Sequence, residues 1–271
     1  EIDSAMKISV ITPNRNGVSF LRQTLDSVLA QRNAGVDMEY IVVDGASTDG
    51  SLDVLHEYGH RIDHIVSESD RGPAEAINKG LKLARGDLIG WLNADDAYHE
   101  GAVRRAVDTM RSHPACALAF GRCRIVDESG SEIRTGITRF KEAFFPFSCR
   151  FLIQSINYIS QPAMFFRRSA MEKAGPLRED LQAAFDYDFI LRLWKYGGAR
   201  RIPGPHLADF RWHPSSISGS RFRSQFKEEL DAARRDAGAW SPQAILHWAV
   251  RWGIVGAYTA MRALSPDAET K

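Results

Sequence analysis

Along its first 112 residues the chain alternates short β-branched apolar runs with polar loops and with apolar positions at helical spacing. Residues 7–12 form the first apolar run and break at Pro13-Asn14-Arg15-Asn16-Gly17, which predicts a strand and a polar loop. Val18, Leu21, Leu25, Val28 and Leu29 follow at helical spacing, so residues 18–31 are expected to be a helix. A second buried strand is expected at 39–44, closing in Gly45-Ala46-Ser47-Thr48-Asp49-Gly50, with Ser47 or Thr48 capping a helix that runs to about residue 58. Residues 62–67 repeat the strand pattern. Pro73 then suits the first turn of a helix with Ala74, Ile77, Leu81 and Ala84 on one face, and Gly86 is expected to end it. Leu88, Ile89, Trp91 and Leu92 make a fourth strand, with a helical pattern from about residue 100. Strands alternating with helices in this way predict a doubly wound α/β fold on a mixed, mainly parallel sheet flanked by helices.

In such sheets ligands bind beyond the carboxyl ends of the strands. Each predicted end is polar here: residues 12–16, 44–49, 68–72 and 93–96. The last of them, Asn93-Ala94-Asp95-Asp96, carries two adjacent carboxylates. Placing them at the end of a buried strand is costly, because each repels the other and both lose water. A divalent cation removes that cost, since Mg²⁺ and Mn²⁺ take carboxylates together with substrate phosphate oxygens. The competing reading is a solvated turn that caps the next helix, and the three other polar strand ends weigh against it.

The pattern changes beyond residue 114. Residues 117–126 with the turn Asp127-Glu128-Ser129-Gly130 suggest a hairpin or an extension of the sheet. Residues 138–160 are aromatic without a clear period, which favours core or lid packing over ligand contact. A strand is expected at 161–168, a short helix ending at Gly175, and a helix at 186–196 that buries Phe189, Ile190, Leu193 and Trp194. Residues 207–212 read as a strand that leaves His213 in a loop. Residues 221–235 form a charged amphipathic pattern, and 242–264 a second one with Trp, Tyr and Arg interleaved. Such a segment fits a membrane surface, or a helix packed on the domain or at a homodimer contact.

Composition narrows the class. The 271 residues suffice for one large domain, and 35 Lys and Arg against 34 Asp and Glu give a net charge of +1, so no nucleic-acid partner is expected. Cys116, Cys123 and Cys149 have neither disulfide-framework nor zinc spacing, which fits a reducing cytoplasm. No run of 18 apolar residues is present, so no spanning helix is expected. The expected location is cytoplasmic, peripheral on the inner face of the membrane if the tail binds lipid. Residues 1–6 are set aside as an added or flexible terminus.

Five pieces, in order over about residues 7–220, resemble glycosyltransferase family 2, inverting enzymes of GT-A fold. They are Ser9-Val10-Ile11-Thr12-Pro13-Asn14-Arg15-Asn16, Ile41-Val42-Val43-Asp44-Gly45-Ala46-Ser47-Thr48-Asp49-Gly50, Asp70-Arg71-Gly72 with Ala76-Ile77-Asn78-Lys79-Gly80, Trp91-Leu92-Asn93-Ala94-Asp95-Asp96, and Phe185-Asp186-Tyr187-Asp188. The resemblance implies a nucleoside diphosphate sugar donor, UDP-linked, and a saccharide or lipid-linked saccharide acceptor in bacterial surface polysaccharide synthesis. It implies a divalent cation, Mn²⁺ or Mg²⁺.

Residue by residue, it implies that Thr12, Pro13, Asn14, Asn16, Asp44, Ser47, Asp70, Arg71, Asn78, Asn93, Ala94 and Asp95 bind the donor. A carboxylate such as Asp44 can accept the imide N–H of a uracil ring, and Arg71 can donate to a base carbonyl. The metal motif of the family is commonly Asp-x-Asp. Asn93 departs from it, which leaves Asp95 as the direct ligand, Asp96 in support, and His213 as a loop ligand that suits Mn²⁺ better than Mg²⁺. Inversion needs a base on the acceptor hydroxyl. Asp186 stands at the family's position for it, with Asp188 as alternative. Arg211 and Ser216 are further phosphate candidates.

The division this implies is 7–113 for the nucleotide-sugar half, 114–220 for the acceptor and catalytic half of the same domain, and 221–271 for C-terminal amphipathic helices. A catalytically degenerate nucleotide-sugar-binding or scaffolding module is the rival expectation, and Asn93 is the feature in its favour.

Overall fold

The computed structural model describes residues 6–214, 216 and 222–264. The first half follows the predicted alternation: β1 (Ile8–Asn14), α1 (Val18–Leu29), β2 (Met38–Asp44), α2 (Ser51–Tyr58), β3 (His64–Ser67), α3 (Pro73–Leu83), β4 (Leu88–Trp91), β5 (Ala97–Tyr98) and α4 (Ala102–Ser112). The second half holds β6 (Leu118–Phe120), β7 (Cys123–Val126), β8 (Glu132–Ile133), α5 (Thr135–Glu142), α6 (Arg150–Ser155), β9 (Met164–Arg167), α7 (Arg168–Ala174), α8 (Phe185–Trp194), β10 (Ala199–Arg201) and β11 (Ala208–Arg211). Two helices follow, α9 (Phe222–Ala237) and α10 (Pro242–Leu264).

The main sheet has seven strands in the order β3-β2-β1-β4-β9-β6-β10. Strands β3, β2, β1 and β4 are mutually parallel, β9 runs antiparallel to both β4 and β6, and β10 is parallel to β6. A smaller sheet, β5-β11-β7-β8, stands beside it. All seven residues of β1 and of β2 are buried, as a central parallel strand with helices on both faces requires.

Alternate residues feed two cores. Ile11, Ile41, Val43, Ile89 and Trp91 pack on the face covered by α3 and α8. Val10, Tyr40, Val42 and Leu88 pack on the face of α1, α2 and α4. The register sets Asn14 level with Asp44, and Ile11 level with Trp91 at the end of β4. The loops after β1, β2 and β4 therefore emerge side by side.

Local details depart from expectation. Neither Ser47 nor Thr48 caps α2. The helix starts after Gly50, held in a left-handed conformation at φ 93°, while the Ser47 hydroxyl turns back to Asp44. The aromatic stretch contains helices α5 and α6 with a 3-10 turn between them, at Phe145–Phe147. Its period was obscured because its rings divide: Phe145 and Tyr158 pack against Phe120 in the core, while Phe140, Phe147 and Phe151 are exposed.

At the base of the sheet Ser9 Oγ donates to Glu39 Oε2 at 2.6 Å and accepts from the Gly86 N–H at 2.8 Å. A Cβ at Gly86 would lie 2.5 Å from Ser9 N and 2.9 Å from Leu88 O. Both neighbours are strand backbone and cannot yield. Gly86→Ala is expected to cost about 1–3 kcal/mol of stability by overpacking, read as a lower urea midpoint at unchanged slope.

Candidate active site

A cleft of about 840 Å³ opens at the carboxyl ends of β1 and β4, within the range of small-molecule sites. One wall is Pro13, Asn14, Arg15 and Asn16, with Asp70 and Gly72 beside it, and the floor is Asn93, Ala94 and Asp95. Lys141, Asn157, Gln161, Phe185, Asp186 and Gln225 form the facing wall, and Glu128 and His213 the rim.

The first wall is held by a buried carboxylate. Asp44 Oδ1 accepts from Asn14 Nδ2 at 2.7 Å and Ser47 Oγ at 2.5 Å, and Oδ2 accepts from Ser47 N and Ser67 Oγ, each at 2.9 Å. Burial pushes the Asp44 carboxyl up, but these donors outweigh it and hold it below the usual carboxylate range. Asp44 thus ties β1, β2 and β3 together and has no lone pair left for a nucleobase, contrary to the expectation. Ser47 belongs to the same network and donates no bond into the cleft: its hydroxyl also accepts the Asn16 N–H at 2.8 Å.

Asn16 is left-handed at φ 53°, a conformation Asn tolerates better than most residues, and its Oδ1 accepts the Thr48 N–H. Asn14 Oδ1 is buried with no hydrogen-bond partner among the described residues. Thr12 is fully buried against the Tyr40 hydroxyl at 2.9 Å and does not line the cleft.

Two more donor candidates are structural. Asn78 is spent on the Leu177 backbone, donating to its carbonyl and accepting its N–H. Arg71 lies outside the cleft in ion pairs with Glu75 and Glu179. Asp70 does face the cleft, and Arg15, not singled out from sequence, reaches the Asp70 carbonyl with its guanidinium.

On the floor the two adjacent carboxylates diverge. Asp96 is buried and accepts the Arg211 N–H at 2.8 Å. Burial, and then Asp95, push it well above the usual carboxylate range, and it stands behind the cleft floor, not among the lining residues. Arg211 also points inward, donating to the carbonyls of Asp95, Asp127 and Glu128 and to Gln23 Oε1, with its guanidinium 4.6 Å from the Phe20 ring. It is a strut, not a phosphate contact.

Asn93 Nδ2 is shared between Asp96 Oδ2 at 3.3 Å and Gln161 Oε1 at 3.2 Å, and Gln161 donates to the Trp91 carbonyl. Asp95 turns to the cleft, where Oδ2 lies 3.1 Å from His213 Nε2. That hydrogen bond raises the His213 pKa. Ser216 lines the cleft with its hydroxyl donating to the His213 carbonyl.

No group of three or more metal-ligating side chains occurs among the described residues. Asp95 with His213 nevertheless fits a hard or borderline cation whose remaining positions are filled by substrate phosphate and water.

The facing wall is set by α8 and α9. Glu228 Oε2 accepts the backbone N–H groups of Ala183 and Ala184 at 2.9 Å, and of Gln182 at 3.1 Å. These N–H groups lie in the segment just before α8, so Glu228 fixes where the helix begins. Asp186 follows in the first turn, lining the cleft and accepting the Tyr187 N–H at 2.7 Å. Burial, and next the carboxyl of Glu229, push Asp186 up to about 6. Glu229 is itself buried and raised, and accepts from Asn157 and Gln225 at 3.2 Å each. Asp188, two positions on, points away into ion pairs with Arg192 and Arg235.

Lys141, Asn157, Gln161 and Glu229 are site residues that sequence reasoning missed. Lys141 and Asn157 come from the aperiodic stretch, Gln161 from a 3-10 turn at the start of the run expected to be a strand, and Glu229 from a helix whose charges read as a solvated face.

The sequence pattern of Glycosyl transferase family 2 matches residues 9–175. The chain belongs to glycosyl transferase family 2. An uncharacterized glycosyltransferase of Mycobacterium tuberculosis (strain ATCC 25618 / H37Rv) is 33% identical over 192 residues, 70% of this chain and 69% of the relative. The O-antigen biosynthesis protein RfbC of Myxococcus xanthus is 31% identical over 69% of this chain, though the match spans 14% of RfbC. Among solved structures, S. aureus TarS 1-349 in complex with UDP-GlcNAc aligns with TM-score 0.71 at 17% identity, over 98% of this chain and 76% of that one. The mannosyltransferase PcManGT from Pyrobaculum calidifontis, in complex with GDP-Man and Mn²⁺, aligns with TM-score 0.67 at 18% identity, over 97% and 82%. These likenesses show a GT-A glycosyltransferase fold. The family match ends before Asp186.

In this family 2 chain Asp44→Asn replaces an acceptor-only carboxylate by an amide that directs N–H groups at Ser47 and Ser67 or at Asn14. A folded-state pKa below the unfolded value means stabilisation present above the ordinary carboxylate range and lost as pH falls through the folded value. Asp44→Asn is expected to cost about 1.5–3 kcal/mol at pH 7, with the gap to wild type closing in acid denaturation series.

Proposed function

We propose that the protein is an inverting glycosyltransferase that moves a sugar from a UDP-linked donor to a saccharide acceptor, with Asp186 as its base. The observation that carries the reading is the position of Asp186, in the cleft wall facing Asp95, with its pKa pushed up to about 6 by burial and Glu229. A base with that pKa is ionised at neutral pH yet holds a proton well enough to take one from a hydroxyl as it attacks. Asp188 is excluded from the role by its ion pairs with Arg192 and Arg235.

Asn14 and Asn157 line the cleft, and each has a buried Oδ1 with no hydrogen-bond partner among the described residues. An amide oxygen of this kind accepts from an imide N–H or a sugar hydroxyl. Of the expected donor-binding groups, Asn14 and Asp70 line the cleft and would meet nucleoside and ribose, whereas Asp44 and Arg71 do not line it. Asp95 and His213 would hold a divalent cation. When bound, it offsets charge on the departing diphosphate. Acceptor oxygen bonds to the anomeric carbon, the bond to the diphosphate oxygen breaks on the opposite face, and the acceptor proton passes to an Asp186 carboxylate oxygen. The RfbC and TarS likenesses support a cell-surface polysaccharide as product and UDP as carrier.

Isothermal titration with UDP, GDP and dTDP, each with Mn²⁺ and with EDTA, tests the donor reading; UDP is expected to bind, more tightly with Mn²⁺. Absence of nucleotide binding in every condition would sink it. Asp186→Asn is expected to lower turnover of UDP-GlcNAc, followed as UDP release, by about 10²–10⁴-fold with UDP affinity unchanged. Retained turnover removes Asp186 as the base.

The wild-type rate should rise with pH through about 6 and then level off, because the base works ionised. In Glu229→Gln the like charge is gone, so the acidic limb should move to lower pH. An unmoved limb would show that Glu229 does not tune the base.

A further inference from the structure

Where its side chains are described, helix α10 (Pro242–Leu264) has a buried inner side and an exposed, apolar outer side. Its inner side carries Ala244 and His247, both buried. His247 Nδ1 lies 3.4 Å from the Tyr187 hydroxyl and 3.2 Å from the Gln154 carbonyl, and its ring lies against Tyr187. The one titratable group in the helix's first turns thus faces the protein. Its outer side is Ile245, Leu246, Trp248 and Trp252, between 42% and 54% exposed, with the Trp248 and Trp252 rings edge to face. Trp240, in the turn before the helix, is 88% exposed. Scattered apolar residues on a surface need no partner, but a contiguous face of this kind does.

We propose that this outer face of α10 docks the protein on an anionic phospholipid bilayer surface. The proposal stands apart from the sugar-transfer reading and requires no catalysis. An apolar helix face is normally covered, and over the described residues the protein covers the inner side of α10 and leaves the outer one exposed. The charge of the segment selects the occupant. From residue 237 to residue 266 the sequence has no Asp or Glu, and its charged side chains are Arg251 and Arg262. Arg251 sits one position before Trp252 with its guanidinium 5.8 Å from that ring. Aromatic rings beside arginines, without carboxylates, match the boundary between acyl chains and anionic headgroups.

A second copy of this chain would meet the same arginines and no acidic partner on that segment. None of the helices among the described residues is long and apolar enough to cross a membrane, so the helix lies on the surface.

The test is flotation of the full 271-residue chain with phosphatidylcholine vesicles and with vesicles containing about a third phosphatidylglycerol, with tryptophan emission recorded in parallel. Expected are flotation and a blue shift with the anionic vesicles only, reversed by high salt. Trp248→Glu with Trp252→Glu should remain at the bottom of the gradient while its melting temperature and UDP affinity match wild type.

Should that variant fail to fold, Arg251→Glu alone is used, and at least a several-fold loss of vesicle binding is expected. No flotation with either vesicle overturns the proposal, as does flotation unaffected by these substitutions. Equal flotation with neutral vesicles overturns the choice of anionic lipid. A dimer in light scattering that the tryptophan substitutions dissolve, without lipid binding, assigns the face to a second copy and overturns the proposal.

Discussion

The structure depends on how it accommodates carboxylates at the ends of buried strands. A carboxyl group there must be satisfied by donors, neutralised by a proton, or left poised at an energetic cost. All three outcomes occur around one cleft. Asp44 is satisfied: Asn14, Ser47 and Ser67 converge on it and fix the spacing of three strand ends. Asp96 is pushed toward its neutral form: burial and Asp95 raise it, and it accepts the Arg211 N–H from the rim strand β11. Asp186 is left poised, with a pKa near 6 in the cleft wall. The first two hold the walls in place so that the third meets a ligand in a preset geometry, which is the condition for electrostatic preorganisation.

The fold was legible because each apolar run in the first half has the length and composition of a buried parallel strand, and a punctuating loop follows each one. Which strand-end residues reach the cleft was not legible. Asp44 and Asp95 look equivalent in sequence, both acidic and both closing an apolar run. What separates them is Ser67, 23 positions beyond Asp44, whose hydroxyl completes the shell of Asp44. Nothing between residues 44 and 67 marks that contact. Asp95 and Asp96 are adjacent, yet a turn sends one to the cleft and the other to the Arg211 backbone. Asp186 and Asp188 were separable in principle, since they lie on different faces of a helix, but deciding which face meets the cleft required the position of α9.

That helix is where sequence reasoning had least purchase and where the site depends most on distant residues. A charged amphipathic pattern ordinarily denotes a solvated face. In α9 it supplies Glu228 to the backbone before α8, Glu229 beside Asp186, and Arg235 to Asp188. The three contacts act on one turn of α8. Glu228 fixes where the turn begins, Arg235 holds Asp188 away from the cleft, and Glu229 sets the proton affinity of the residue left facing it. The family match ends at residue 175, so this bracing lies outside the matched segment.

The same arrangement links the cleft wall that carries Asp186 to the outer face of the molecule. Helix α9 passes through the short turn 238–241 into α10, and α10 returns to α8 through His247, which lies against Tyr187, the residue after Asp186. Burial pushes His247 down to about 4, so the imidazole at this contact is neutral and α10 rests on the Asp186 turn through packing and a neutral hydrogen bond. The inner side of α10 backs the α8 turn through Tyr187, and its outer side faces away from the protein. An exposed α10 would leave its apolar face to bulk water, while a docked one has that face sheltered. The helix that presents tryptophans to the surroundings and the turn that presents Asp186 to the cleft are therefore two sides of one packed unit.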